Sequence, residues 1–235
     1  MLCLLVASIG SSLYLFQKAS GYYRDLHEVR LDPLGLSALP QSASQTVPLA
    51  IVGDSRAAEW PAPDWLPGEV LNSGIGGQTT AQVLGRIERQ SPFDADAVLI
   101  QAGINDLKTI ALFPDRRDPI VANCKANLQR IIAHYRARGC KVILSTIVPA
   151  GEIPLQRRLF WSDEIDRSVI EVNAFLREQE AEGVLVFDAA AVIGASATDA
   201  AAAPASDLYR DALHLNAAGY DRLNDALADL FASPR

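Results

Sequence analysis

From residue 48 onward, short and almost continuously apolar runs alternate with longer segments of helical periodicity. Five runs have the length of strands: PLAIV (48–52), EVLNS (69–73), AVLIQA (97–102), KVILSTIV (141–148) and VLVFDA (184–189). Strands that are apolar on both faces are typical of parallel sheets covered by helices on both sides. The alternation therefore predicts an α/β fold, a doubly wound parallel sheet of five strands flanked by helices.

Two of the intervening segments predict long helices that contribute to the core. Their apolar residues recur three and four positions apart, as on one buried helix face. These residues are Ile120, Val121, Cys124, Leu128, Ile131, Ile132 and Tyr135 in one segment and Ile165, Val169, Val172 and Leu176 in the other. Gly139 and Gly183 stand between a predicted helix and the next strand, where a left-handed turn commonly occurs. We interpret both apolar stripes as core rather than as ligand sites.

The first residues differ in composition from the rest of the chain. Residues 2–16, LCLLVASIGSSLYLF, carry no charge. The run is shorter than the roughly 20 apolar residues of a membrane span. It resembles the apolar core of a signal peptide, with Ala19-Ser20-Gly21 as a small-residue cleavage site. We therefore predict a signal or membrane-anchor segment over residues 1–20, with a buried N-terminal helix as the alternative.

A linker and one domain follow this segment. Residues 21–47 contain Pro33, Gly35 and Pro40 and end in a stretch rich in Ser and Gln, a composition typical of linkers. The remaining residues, 48–235, are long enough for a single domain with a sizeable core.

The basic residues near the apolar run bear on localisation. Lys18, Arg24 and Arg30 follow the run, and no basic residue precedes it. Since basic residues tend to remain on the cytoplasmic side of a membrane, this distribution alone would keep the domain there. The apolar run itself predicts an exported or membrane-anchored protein, and a cytoplasmic location stays open as the alternative.

Charge and cysteine content exclude several functions. The formal net charge is −7, and the Lys and Arg residues are scattered along the chain, so the sequence offers no basic stripe for nucleic acid. Cys3, Cys124 and Cys140 are too few and too unevenly spaced for a zinc site or a disulfide framework. We interpret Cys124 and Cys140 as small apolar residues, and a single bridge between them stays open.

Polar residues that could carry chemistry follow the predicted strands. Ser55 follows the first strand, NSGIGG (72–77) ends the second, GIND (103–106) follows the third, and DALHLN (211–216) lies beyond the fifth. Ligands of doubly wound sheets bind beyond the carboxyl ends of the strands. We therefore expect these segments to converge at one edge of the sheet.

A serine needs a base to become a nucleophile, and the base needs an acceptor that orients it. The chain has three histidines. His27 lies in the predicted linker, and His134 lies in a helical segment beside basic residues. His214 stands three residues after Asp211, so that the carboxylate can accept a hydrogen bond from imidazole Nδ1. Nε2 would then face Ser55, and we predict that these three residues form a catalytic triad.

Acyl transfer also requires hydrogen-bond donors for the oxyanion of the tetrahedral intermediate. The candidates are the backbone N–H groups of Ser55 and Gly74 and the side-chain amide of Asn105. Asp54 is expected to have a structural role, binding backbone N–H groups around the turn before the helix.

Together these residues resemble the SGNH subgroup of the GDSL esterase/lipase family. The four sequence blocks of that family have counterparts in GDS with Ser55, in NSGIGG with Gly74, in GIND with Asn105, and in DALH with Asp211 and His214. The resemblance spans roughly residues 48–230. It implies a flavodoxin-like fold of the SGNH-hydrolase type and hydrolysis of carboxylic esters through an acyl-enzyme. The implied reaction needs no metal or organic cofactor.

Arg56 and Ala57 depart from known patterns. Arg56 stands where the naming motif of the family has leucine, and we expect it to make the rim of the site more polar. It would then favour substrates with an acidic or heavily hydroxylated leaving group. Ala57 stands where the nucleophile turn of α/β-hydrolases has a second glycine, which disfavours that fold.

Several alternatives stay open or are disfavoured. The same triad could transfer the acyl group to a sugar or lipid hydroxyl instead of to water. A dinucleotide-binding loop at GIGG is disfavoured because the third glycine of that motif is missing. A non-catalytic anchored binding protein is also possible, although all the catalytic groups are present. Phe160 and Trp161 in the segment 150–163 would either wall an acyl pocket or belong to a surface loop packed on the core.

Overall fold

The computed structural model describes residues 2–38, 46–90, 93–194 and 206–232. The chain divides into two compact units, Met1–Ala38 and Leu39–Arg235.

The first unit consists of helix α1 (Leu2–Leu31) and a short 3-10 helix (Leu36–Ala38). Helix α1 continues into the predicted linker because residues 22–31 contain neither Gly nor Pro, and Pro33 follows its end. His27 therefore lies in a helix. Large apolar side chains of α1, Leu4 and Phe16 among them, are exposed, which does not support a buried N-terminal helix. Among the described residues, no helix combines the length and hydropathy that a membrane span requires.

The second unit contains five parallel strands. They are β1 (Val47–Gly53), β2 (Val70–Gly74), β3 (Ala95–Gln101), β4 (Lys141–Ser145) and β5 (Val184–Phe187). Their order is β2-β1-β3-β4-β5, with every neighbouring pair parallel. This is the flavodoxin-like order of a doubly wound sheet. The predicted fold class is confirmed.

Seven helices surround the strands in the described part of this unit. They are α2 (Ser55–Ala58), α3 (Thr80–Ile87), α4 (Ile104–Leu107), α5 (Arg117–Arg136), α6 (Asp163–Arg177), α7 (Ala189–Ile193) and α8 (Ala217–Ala232). Short 3-10 helices occur at Lys108–Ala111, Pro114–Arg116, Leu155–Phe160 and Ser206–Leu208. The two predicted core helices correspond to α5 and α6.

The core has two halves, one on each face of the sheet. Successive residues of a strand point to opposite faces, so Ala50 and Val52 of β1 pack with α3, α5 and α6, whereas Leu49 and Ile51 pack toward α7 and α8. The continuous apolar composition of the central strands follows from this burial on both sides. Cys124 and Cys140 are buried as free thiols, which confirms their interpretation as small apolar residues.

Strand β4 ends three residues earlier than predicted. The Thr146 N–H still donates to the Phe187 carbonyl of β5 at 3.0 Å. At the next residue the backbone bonds to a side chain in place of a strand, since both the N–H and the carbonyl of Ile147 bind the Asn173 amide, at 2.7 and 2.8 Å. The Thr146 hydroxyl donates to Asp188 at 2.9 Å. The chain therefore leaves the sheet and forms a loop at its carboxyl edge.

Candidate active site

The turn between β1 and α2 presents Ser55 at the carboxyl edge of the sheet. Asp54 caps α2, since its Oδ1 accepts a hydrogen bond from the Arg56 N–H at 2.9 Å. This confirms the structural role expected for Asp54. Its carboxyl group is buried, and burial raises its pKa to about 6, although the nearby positive charge of Arg56 and the hydrogen bond oppose the rise.

Ser55, His214 and Asp211 form one hydrogen-bonded chain. His214 Nε2 lies 3.0 Å from Ser55 Oγ, across 159 positions of sequence. On the other side of the ring, His214 Nδ1 lies 2.9 Å from Asp211 Oδ2. This geometry places a base next to the hydroxyl and an acceptor behind the base.

The Asp211 carboxylate is held by its own loop. Its Oδ1 also accepts hydrogen bonds from the N–H groups of Leu213 and His214, at 2.8 and 3.0 Å. Partial burial by itself raises the pKa of Asp211. The hydrogen bonds from Leu213 and His214 outweigh burial and lower the pKa to about 2. The carboxylate is therefore ionised at neutral pH and can orient the imidazole.

Asn105 lies in α4, directly after β3, and is buried. Its Nδ2 donates one hydrogen bond to the Gln78 carbonyl at 2.9 Å, which leaves the second amide hydrogen for another acceptor. Asp106 accepts from the N–H and the hydroxyl of Thr80, at 2.8 and 2.7 Å. These contacts join the loop after β2 to the loop after β3.

Gly74 does not present its N–H as the sequence predicted. That N–H donates to Asn72 Oδ1 at 2.9 Å. A Cβ atom at Gly74 would lie 2.1 Å from the Ala58 backbone nitrogen, so the residue packs against α2. Further along the loop, Gly76 lies beside Ser55, since a Cβ atom there would be 3.9 Å from Ser55 Cβ, and Gly77 has a φ of 77°. Gly74 is thus engaged in packing, and Gly76, which lies beside Ser55, comes two residues later.

Arg56 does not lie at the rim of the site, so the prediction that it makes this rim more polar is wrong. Its side chain is only 3% exposed. The guanidinium donates to the backbone carbonyls of Leu213 (2.7 Å) and Pro149 (3.3 Å) and to that of Val148. Arg56 points into the protein because these three carbonyls lie there, and it cannot contact a leaving group as expected.

A second arginine, Arg86 of α3, is also buried, and the sequence pattern did not predict its burial. It donates to Gln78 Oε1 at 3.0 Å, to Ser73 Oγ at 2.8 Å and to the Gly53 carbonyl at 3.3 Å. Burial lowers its pKa to about 10, so it stays cationic at neutral pH. The only sequence signal is its position on the apolar face of α3. Arg86 ties the ends of β1 and β2 to the loop that reaches Asn105.

The two aromatic residues of the segment after β4 differ in how far they are buried. Phe160 ends the 3-10 helix Leu155–Phe160 and is 65% exposed. Trp161 is partly buried against the core, and its Nε1 donates to Asp166 at 3.3 Å. The packing of Trp161 therefore agrees with the prediction of a surface loop packed on the core. That Phe160 forms a wall of an acyl pocket stays a prediction. Across the four described ranges, no cluster of three His, Cys, Asp or Glu side chains offers a metal site.

Comparisons with known proteins place this arrangement in a family. The sequence model of the GDSL-like Lipase/Acylhydrolase family matches residues 51–222, which include all the predicted site residues. No curated protein matches the chain.

Solved structures share the fold over nearly their whole length. A candidate platelet activating factor protein from Streptococcus pneumonia has a TM-score of 0.65 at 19% identity, covering 93% of this chain and 98% of its own. A GDSL-like lipase from Bacteroides thetaiotaomicron has a TM-score of 0.61 at 20% identity, covering 86% and 95%. A catalytic mutant of an acetylxylan esterase from Geobacillus stearothermophilus has a TM-score of 0.52 at 20% identity, covering 82% and 96%. At these identities the likeness concerns the fold.

Proposed function

Because the chain belongs to the GDSL-like lipase/acylhydrolase family and is a carboxylic ester hydrolase, we propose that it works through a Ser55–His214–Asp211 triad and an acyl-enzyme on Ser55. The observation that carries the proposal is the continuous hydrogen-bonded chain from Ser55 Oγ through the His214 ring to Asp211. Its three members come from two segments that lie more than 150 positions apart in the sequence.

The proposed reaction has two halves. In the first, His214 Nε2 takes the proton of Ser55 as Oγ attacks the ester carbonyl, and it then gives that proton to the departing alcohol. In the second, His214 takes a proton from water, the resulting hydroxide attacks the acyl carbon, and the acid leaves as Ser55 recovers its proton. Asp211 keeps the ring oriented and stabilises the imidazolium formed in each half.

Three groups are proposed to bind the oxyanion. Two are those predicted from the sequence, the Ser55 N–H and the amide of Asn105. In place of Gly74, whose N–H is engaged, we propose an N–H of the loop Gly76–Gly77 beside Ser55. Loss of one such donor typically costs about 10²- to 10³-fold in kcat.

The substrate class rests on the structural relatives. One of them is a GDSL-like lipase and another an acetylxylan esterase. We infer a substrate that carries an acyl or O-acetyl ester on a small molecule, a lipid or a carbohydrate. Transfer of the acyl group to a sugar or lipid hydroxyl remains the second candidate, and analysis of products with and without an added acceptor separates the two.

The role of the N-terminal segment also stays a proposal. The apolar side chains of residues 4–16 are exposed on α1, as a signal or anchor segment would require. We infer that they direct the protein to export or hold it at a membrane surface.

A panel of p-nitrophenyl esters from acetate to palmitate tests the triad. We expect Ser55→Ala and His214→Ala to lower kcat by about 10³-fold or more, because both groups act in the same step. Ser168→Ala is the matched control, since this buried hydroxyl of α6 lies outside the proposed site. Wild-type turnover that survives in Ser55→Ala would contradict the proposal.

A further inference from the structure

Arg56 is a buried arginine whose guanidinium hydrogen-bonds to backbone carbonyls. It directly follows Ser55 in α2 and is 3% exposed. Burial of a guanidinium is costly unless its donors find acceptors, and here the acceptors are the carbonyls of Leu213, Val148 and Pro149. Because these carbonyls belong to two segments remote in sequence, the side chain links three parts of the molecule.

The first link reaches the histidine. Arg56 Nε donates to the Leu213 carbonyl at 2.7 Å, and Leu213 directly precedes His214. The residue after the proposed nucleophile thus holds the residue before the proposed base. This contact runs beside the 3.0 Å contact between Ser55 Oγ and His214 Nε2.

The second link reaches the loop after β4, which supports the histidine loop from another side. Arg56 donates to the carbonyls of Val148 and Pro149, and the Tyr209 hydroxyl also donates to the Pro149 carbonyl, at 2.9 Å. The Gly151 N–H in turn donates to the Ala212 carbonyl at 2.9 Å. The two loops are therefore bonded to each other as well as to Arg56.

The backbone of Arg56 is held from α8. The Tyr220 hydroxyl donates to the Arg56 carbonyl at 3.0 Å. Both ends of the arginine are thereby restrained, so its side chain can act as a spacer of fixed length between α2 and the histidine loop.

We propose that Arg56 is a positioning residue that sets the distance and orientation of His214 Nε2 relative to Ser55 Oγ. The proposal rests on the proposed function, because it assumes that proton transfer between these atoms is the chemical step. Arg56 acts through Leu213 and the loop after β4 and does not contact the substrate. Its contribution therefore belongs in kcat rather than in KM.

The variants Arg56→Met and Arg56→Lys test this role with p-nitrophenyl acetate. We expect each to lower kcat about 10- to 100-fold with less than about 3-fold change in KM, since a displacement near 1 Å in a reacting pair has this effect. Lysine keeps the charge but cannot span acceptors on two segments, so it should not restore kcat. Arg136→Met is the matched control: Arg136, the last residue of α5, also donates to a backbone carbonyl, that of Glu182 at 3.0 Å, but it lies at the opposite, amino edge of the sheet, so kcat should stay at the wild-type value.

Chemical rescue separates positioning from a general loss of structure. Arg56→Ala leaves space for a small cation, so guanidinium at non-denaturing concentration should raise kcat of this variant and leave that of Arg136→Met unchanged. If Arg56→Met does not fold, Arg56→Lys and the rescue of Arg56→Ala carry the test. A wild-type kcat in any folded Arg56 variant overturns the proposed role of Arg56 and does not bear on the proposed function. Activity that survives in Ser55→Ala overturns the proposed function instead.

Discussion

At the scale of single residues, charged groups are buried on both sides of the proposed nucleophile. Asp54 precedes Ser55, and Arg56 follows it, each with very little exposed surface. Burial, as the largest influence, raises the pKa of Asp54 to about 6 and lowers that of Arg56, and the attraction between the two charges opposes both shifts. The nucleophile therefore lies in a turn whose stability depends on pH.

The variant Asp54→Asn tests this pH dependence. The folded pKa of about 6 lies above the ordinary value of 3.8, so the contribution of Asp54 to stability is fully present below pH 3.8 and is lost as the pH rises through 6. The side chain of asparagine does not titrate, so the variant does not lose stability in this way as the pH rises. We expect the free energy of unfolding of the variant, relative to wild type, to increase by about 2–3 kcal/mol from pH 4 to pH 7. Urea unfolding at several pH values measures this, and a constant difference would contradict it.

Residue type and position sufficed to predict some of the site. A serine after an apolar strand, and an aspartate three positions before a histidine, can be recognised as candidate catalytic residues from the sequence. The structure brings these residues into contact. The places of Arg56 and Arg86 could not be predicted in this way. An arginine is buried only where carbonyls and hydroxyls satisfy its donors, and those groups come from segments that meet only in the fold.

At the scale of elements, the end of β2 and helix α2 approach so closely that only glycine fits. A Cβ atom at Gly74 would lie 2.1 Å from the nitrogen and 2.6 Å from the Cα of Ala58. Asn72 adds to this contact, since its amide donates to the Ala57 carbonyl at 2.8 Å. The position of α2, and with it Ser55, depends on this packing.

Gly74→Ala is therefore expected to displace α2. We predict a loss of about 1–3 kcal/mol in the free energy of unfolding, as is typical of overpacking, together with a reduced kcat because Ser55 moves with the helix. Chemical denaturation and ester hydrolysis measure the two effects. Gly10→Ala is the control, because a Cβ atom there meets no atom within 4 Å and should cost no stability. Equal stability of Gly74→Ala and wild type would show that α2 is not held by this contact.

At the scale of the whole molecule, the chain separates into an N-terminal unit and a unit that contains the sheet and the site. The family match, residues 51–222, lies within the second unit. The core on both faces of the sheet is formed by residues of this unit.

A protein that begins at residue 46 should therefore fold and remain active. We expect kcat/KM for p-nitrophenyl acetate within about 2-fold of the full chain and a melting temperature within a few degrees, because an independent domain keeps its own core. Circular dichroism and ester hydrolysis compare the two proteins. Loss of cooperative unfolding in the shorter protein would contradict the predicted domain boundary.

By itself the sequence determined the fold class, the order of strands and helices along the chain, and Ser55, Asp211, His214 and Asn105 as site candidates. These features follow from local pattern and from the rule that parallel strands share a carboxyl edge. Only the tertiary structure decided that Arg56 faces inward, toward the Leu213 carbonyl, and that Arg86 binds the Gly53 carbonyl at the end of β1. The reason is that hydrogen bonds between remote segments depend on distances that no local pattern encodes.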